Sequence, residues 1–280
     1  MKSAGEIYSF KVLRKTDIGY MLQDEESNEY FLHKNQATHD LVEGQYVLAF
    51  LYFDGQKRIT ATMEEPSVTL SKPGWGIVRS VNPNLGIFMD INISKDILIS
   101  KDMLPTDLSL WPQIGDHLYI HLKAKTNQLV AKIVGKTLLT TNGKNLDEGI
   151  EVKAYVSRLM SEGVSCYTED LNVIFIHKTQ MRANVRLGEE LSVKIIKANP
   201  NGEYSGSLIQ RKENQMNDDS AIILEFLVTN NGKMRFGNDS TPEEIYKNFN
   251  MSKKAFKRAL GHLYKERKID FVDGKTILVK

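Results

Sequence analysis

Apolar and polar residues alternate along much of this chain, and only from residue 218 onward does the apolar spacing turn helical. Runs rich in Val, Ile and Tyr and bounded by turn residues read as strands. The first such runs are 7–13, 76–81 and 150–159. Each is followed by a glycine that opens a second run: Gly19 before Tyr20-Met21-Leu22, Gly86 before Ile87-Phe88-Met89-Asp90, and Gly163 before Val164-Ser165-Cys166-Tyr167. A third run ends in Phe31-Leu32-His33-Lys34, Leu98-Ile99-Ser100-Lys101 or Phe175-Ile176-His177-Lys178. After a polar stretch, Gly44, Gly115 and Gly188 precede a fourth run. A turn (Asp54-Gly55, Thr126-Asn127, Asn201-Gly202) then leads into closing runs at 58–63, 128–134 and 203–208.

The gaps match from copy to copy, so one unit is repeated three times. Five short antiparallel strands in about 65 to 70 residues, with the longest connection between the third and fourth, are what a Greek-key OB barrel needs to close its edges. The glycine opening the second strand is expected to supply the bulge or sharp bend that a strongly coiled strand requires.

In the tail, Asp218-Asp219-Ser220 is expected to cap a helix through Ala221 to Leu227 that stops at Asn230-Asn231-Gly232. Asp239-Ser240-Thr241-Pro242-Glu243-Glu244 marks a second helix start, with Ile245 and Phe249 facing inward. Ser252 opens a third, whose apolar stripe is Phe256, Ala259, Leu260 and Leu263 and whose other face carries Lys253, Lys254, Lys257 and Arg258. A hairpin follows, 269–272 and 276–279, turning at Asp273-Gly274. Three helices and a hairpin make a winged helix, in which the third helix commonly meets nucleic acid.

The second unit, through Gly76-Ile77-Val78, Gly86-Ile87-Phe88-Met89-Asp90, Leu98-Ile99-Ser100 and Gly115-Asp116, resembles the ribosomal S1-type RNA-binding domain, and the other two are more diverged copies. With its tail, nearly the whole chain resembles the bacterial conserved virulence factor B family of S1-like RNA-binding proteins. The resemblance implies a mainly β, multidomain chain. Three tandem S1-type OB-fold five-stranded barrels would occupy 1–65, 70–137 and 146–212, followed by an α+β winged-helix domain at 217–280. It also implies a bacterial regulator of gene expression or RNA turnover that grips single-stranded RNA, acting on virulence-factor expression in that family.

An OB barrel binds single strands through flat aromatic faces beside cations that track the phosphates. Carried over by position, the strand-two aromatic is Phe88, replaced by Met21 and Ser165, and the strand-three histidine is His33 and His177, replaced by Ser100. The family's acidic and basic pair near strand five is matched by Asp54 and Arg58; Asn199 and Glu203 stand there in the third unit, and the second has no clear match. Beyond the resemblance, Lys34, Lys101 and Lys178 keep a charge in all three units, and Arg14 and Arg158 match on strand one. The competing reading makes the lysines solvated, the histidines half-buried strand ends, Phe88 core and the basic helix face a solubilising surface. Recurrence weighs against it for the lysines and histidines, and Met21 and Ser165 weigh against an invariant core role for Phe88. Trp75 and Trp111 are expected to pack linkers against barrels.

Composition narrows the rest. A net charge of +2 leaves any polyanion to be held by local patches. One cysteine, Cys166, allows no intrachain disulfide and no cysteine zinc cluster, which fits a reducing compartment such as the cytoplasm. No apolar run nears the roughly 20 residues of a spanning helix, and Lys2-Ser3-Ala4-Gly5-Glu6 is no signal sequence, so no membrane role is expected. No cofactor or metal is expected either. Gly135-Lys136-Thr137 and Gly274-Lys275-Thr276 lack the earlier glycine of a phosphate loop. His117 and His121 on one strand lie roughly 13 Å apart, too far to share an ion. Cys166 reads as a buried strand residue, and the chain is expected to be non-enzymatic. The rival reading is a transcription regulator whose winged helix binds duplex DNA.

Overall fold

Each of the three repeats closes into a five-stranded barrel with the same strand order. The first is built from β1 (Ile7–Thr16), β2 (Gly19–Gln23), β3 (Glu29–His33), β4 (Tyr46–Phe53) and β5 (Ile59–Thr62). The second has β6 (Gly74–Asn82), β7 (Gly86–Asp90), β8 (Ile97–Ser100), β9 (His117–Lys125) and β10 (Gln128–Ile133). The third has β11 (Glu151–Met160), β12 (Gly163–Tyr167), β13 (Val173–His177), β14 (Glu190–Ala198) and β15 (Tyr204–Ser207). In each, the third strand pairs in parallel with the fifth, which closes the sheet and leaves no free edge.

This computed structural model describes residues 2–136, 139, 145–181, 183–209, 212–272 and 274–279, the side chains of 212–218 excepted. Two units result, Met1–Leu208 with the barrels and Ile209–Lys280 with the winged helix. Among the described residues no helix is long and apolar enough to cross a membrane. Thr137 and Asp273, which complete two of the motifs above, lie outside the described residues.

The recurring glycine is required for a reason other than the one expected. A Cβ at Gly19, Gly86 or Gly163 would lie 2.1, 2.0 or 2.1 Å from the carbonyl oxygen of Leu32, Ile99 or Ile176 on the third strand. Backbone therefore occupies the space a side chain needs. The bulge sits on the first strand instead, where the register shifts between Val12 and Arg14, Val78 and Ser80, and Val156 and Arg158. An extra residue there increases the local twist, and the wide β1-type strand can pair with both neighbours.

Inward positions fill separate cores, around Phe10, Leu22, Leu32 and Leu51 in the first barrel and Val156, Cys166, Ile176 and Val193 in the third. The second core is shared: Ala4 and Phe50 enter from the first repeat, Val68 from the connection between the first two barrels and Leu187 from the third. Glu64 accepts hydrogen bonds from the Ser94 amide (2.6 Å) and hydroxyl (2.8 Å) across the first junction. At the second junction, Arg186 donates from Nε and Nη2 to the two Asp116 oxygens at 2.9 and 2.8 Å. The Leu187 amide donates to the Leu110 carbonyl (3.0 Å) and the His117 amide to that of Gly188 (3.1 Å). Trp75 lies between Tyr119 and Tyr155, centroids 5.3 and 5.1 Å away, and buried Trp111 donates Nε1–H to the Pro105 carbonyl, so both tryptophans pack.

The C-terminal unit has α1 (Lys212–Thr229), α2 (Pro242–Phe249) and α3 (Lys253–Lys265) against a small sheet of β16 (Lys233–Met234), β18 (Lys275–Leu278) and β17 (Ile269–Val272), in that order. Helix α1 corrects the expected start: 218–220 lie inside it, and it begins ahead of the expected domain boundary at 217. Residues 212–217 contain good helix formers and neither Gly nor Pro, so the helix extends past the point where its apolar stripe begins. Its stop is as expected, with Gly232 at φ +74° donating its amide to the Leu227 carbonyl. Thr241 forms a capping box with Glu244 ahead of Pro242, and Ser252 caps α3. Ile223, Leu227, Ile245, Phe249, Phe256, Leu260 and Leu263 form the core.

Candidate nucleic-acid interface

Strand register aligns the outer faces of the three barrels residue by residue. In the first, Arg14 pairs with Met21, Met21 with Phe31 and Phe31 with Thr60. The second barrel has Ser80, Phe88, Leu98 and Val130 along the same row, and the third has Arg158, Ser165, Phe175 and Ser205. Neighbours on either side of the row, such as Leu22, Leu32, Ile87, Ile99, Cys166 and Ile176, point into the cores. Period-two alternation therefore turns the row away from the cores, with Thr60, Val130 and Ser165 along it nonetheless buried. Phe88 is half-buried on this outer face, which removes the core reading for it.

Each barrel presents one aromatic ring at the facing pair of strands two and three: Met21 with Phe31, Phe88 with Leu98, Ser165 with Phe175. Phe31 and Phe175 were missed in the sequence, because the resemblance directs attention to strand two. The signal was present in Phe31-Leu32-His33 and Phe175-Ile176-His177, where alternation puts the phenylalanine on the histidine's face. Their rings lie edge to face with His33 at 6.3 Å and with His177 at 6.4 Å, centroid to centroid.

Both histidines also have a structural task. His33 Nδ1 accepts the Asn35 amide at 3.1 Å, and His177 Nδ1 accepts the Thr179 amide at 3.3 Å, each capping a short 3-10 turn. In the second barrel Ser100 Oγ caps the equivalent turn through the Asp102 amide. A neutral imidazole that accepts at Nδ1 carries its proton on Nε2, the other ring nitrogen. Lys34, Lys101 and Lys178 open those turns and are exposed, their amides held by the carbonyls of Ile18, Leu85 and Glu162.

The arginines differ in availability. Arg14 is ion-paired with Glu29 at 3.1 Å. Arg58 donates from Nε and Nη2 to Asp54 at 2.9 and 2.7 Å. Partial burial pushes the Asp54 carboxyl up, but hydrogen bonds from the Arg58 and Gln56 amides and the Arg58 guanidinium outweigh it and hold the group below its ordinary range. The same turn recurs at Asn199 and Glu203, whose amide-to-carbonyl bond matches that of Asp54 and Arg58, with Glu203 paired instead to Lys136. Arg158 has no ion-pair partner among the described residues. It lines a groove of about 1000 Å³ together with Phe175, His177 and Tyr167 and with Leu104 and Pro105 of the second repeat.

In the other unit, α3 exposes Lys254, Lys257 and Arg258, with Lys253 half-buried beside them around a shallow concavity of about 520 Å³. Tyr264 at the end of α3 and Phe271 on the wing are an exposed aromatic pair, 5.5 Å between centroids. Lys275 and Thr276 lie in the wing strand, where buried Thr276 donates to the Phe236 carbonyl.

Family models match in chain order: S1 domain at 4–64, CvfB first S1-like domain at 74–132, virulence regulatory factor CvfB second domain at 135–209, and CvfB-like winged helix domain at 221–278. Conserved virulence factor B of Staphylococcus aureus is 31% identical over 285 residues, covering 99% of this chain and 94% of that one. The chain belongs to the conserved virulence factor B family. Another relative, YitL of Bacillus subtilis, is 34% identical over 276 residues, 97% of this chain and 92% of its own. Among solved structures, a multidomain protein with nucleic acid binding domains from Streptococcus pneumoniae matches with a TM-score of 0.64 and 30% identity, over 99% of this chain and 98% of that one. These matches agree with the architecture of S1-type barrels followed by a winged helix.

Proposed function

We propose that this family member is a non-catalytic, cytoplasmic protein that grips single-stranded RNA through its tandem barrels, aided by the winged helix, and so regulates gene expression or RNA turnover. The observation that carries the reading is the threefold recurrence, on one outer face, of an aromatic ring, a capped turn and an exposed lysine. The virulence-factor name of the staphylococcal relatives and the nucleic acid binding domains of the pneumococcal one support it. Each face is incomplete alone, so affinity comes from linkage: joined weak sites gain through effective concentration. A non-catalytic role is supported by the state of the one thiol, buried with its pKa pushed up to about 12, and by His117 and His121 lying along a single strand.

The exposed basic face of α3 favours a second reading, a transcription regulator binding duplex DNA. One comparison separates the two: binding of homopolymer RNA, single-stranded DNA and duplex DNA to the full chain at two salt concentrations, since the salt slope counts phosphate contacts. Tighter binding of single-stranded RNA than of duplex DNA is expected. Preference for a specific duplex would overturn the first reading in favour of the second.

A further inference from the structure

We infer that Phe31 with His33, and Phe175 with His177, each form a nucleobase seat in which the phenylalanine stacks on the base and the histidine Nε2–H donates to an acceptor on its edge. This rests on the single-strand reading above and gives it a residue-level form. Three features of the molecule support it.

The first is the exchange between facing strands. Across the row where the second barrel has Phe88 facing Leu98, the first has Met21 facing Phe31 and the third has Ser165 facing Phe175. The ring is kept and its strand is not. Directly facing side chains in a sheet are close neighbours, so a ring on either strand covers the same patch of surface. A core role is excluded by position: Phe31, Phe88 and Phe175 are half-buried on the outer row, while the facing pairs beside them, Tyr20 with Leu32, Ile87 with Ile99 and Val164 with Ile176, are buried in the cores.

The second is the orientation of the histidines. Both Nδ1 atoms are occupied by backbone amides two residues on, and His177 Nδ1 also lies 2.8 Å from the Thr179 hydroxyl. The remaining polar atom of each ring is Nε2, which in the neutral form is a donor. Beside a stacking ring, such a donor selects bases that offer a carbonyl or ring-nitrogen acceptor. The third feature is where the base would sit in the last barrel: Phe175, His177 and Arg158 line one groove, which Leu104 and Pro105 of the second repeat also line. The groove is largely apolar, and of its two cations Lys136 is paired with Glu203, which leaves Arg158 for a nucleotide's phosphate while the base lies on the ring.

The test uses the full chain and fluorescein-labelled oligouridylate, with affinity read by anisotropy and folding by circular dichroism and melting. Phe31→Leu with Phe175→Leu copies the strand-three leucine of the second barrel, so the fold is kept. Stacking strengths predict a loss of affinity of about 10- to 100-fold. His33→Ser with His177→Ser copies Ser100, which caps the same turn, and removes the Nε2 donor along with the ring that packs edge to face on the phenylalanine; about 10-fold weakening is expected. Adding Met21→Phe to Phe31→Leu moves the ring back to strand two, as in the second barrel, and is expected to recover the part lost in the first. Wild-type affinity in the folded double phenylalanine variant would overturn the seat while leaving the single-strand reading standing. Absence of single-strand binding by the wild-type chain would overturn both.

Discussion

Replacing Arg186 by methionine tests how the second and third barrels are held together. Asp116 has only 8% of its side chain exposed, and Arg186, 23% exposed, covers it with a two-pronged pair of hydrogen bonds. Removing one partner of a buried ion pair usually costs about 3 to 5 kcal/mol, because the other charge is left without compensation. Two features reduce that here: the site is partly open to water, and Asp116 Oδ2 still accepts the Gln113 amide at 2.7 Å. About 2 to 3 kcal/mol is therefore expected, which is about 30- to 150-fold in the equilibrium for opening the junction. The assay is hydrogen exchange at the Leu187 and His117 amides, whose acceptors lie across that junction. Their exchange should accelerate by that factor while the amides of β2 and β3 in the first barrel keep their rates. Asp116→Asn combined with Arg186→Met removes both charges and should restore most of the protection. Unchanged exchange in the single variant, or a double variant as fast as the single one, would refute the view that this pair clamps the barrels.

Two further predictions follow from the barrels themselves. Gly86→Ala places a methyl 2.0 Å from the Ile99 carbonyl and should lower stability by several kcal/mol, whereas Gly115→Ala, at φ +92° with nothing within 4 Å, should cost only about 1 to 2 kcal/mol of backbone strain; equal shifts in denaturant midpoint would contradict the close-approach account. Burial raises the Cys166 thiol from its ordinary 9.0 to about 12. Near neutral pH it should react with a disulfide-exchange reagent only after denaturation. Because its folded pKa lies above the unfolded one, its contribution to stability is complete below pH 9.0 and is lost as pH rises toward about 12; rapid labelling of the native chain would sink this.

Much of the barrel architecture was legible because one pattern is written three times. Strand limits, the glycine and the lysine after strand three could each be checked against two other copies, and the winged-helix caps are local signals that need no tertiary context. What escaped was set by contacts distant in sequence. The glycine is demanded by a carbonyl on another strand, and the bulge by pairing with two neighbours at once. The clamp at Asp116 joins residues 70 positions apart, and nothing local marks Arg186 as its partner. Helix α1 was mistimed because an apolar stripe shows where a helix packs, not where its hydrogen bonding begins.

The aromatic row shows why column-by-column comparison fails at the site itself. Aligned along the chain, Phe88 falls opposite Met21 and Ser165, and that strand-two position has no ring in two copies of three. Folded, Phe31 and Phe175 stand directly across the ladder from those replacements. A binding face is a surface, and a ring reaching it from either of two paired strands serves the same patch. What the three repeats share is one ring per facing pair. That quantity becomes visible only once strand register is known.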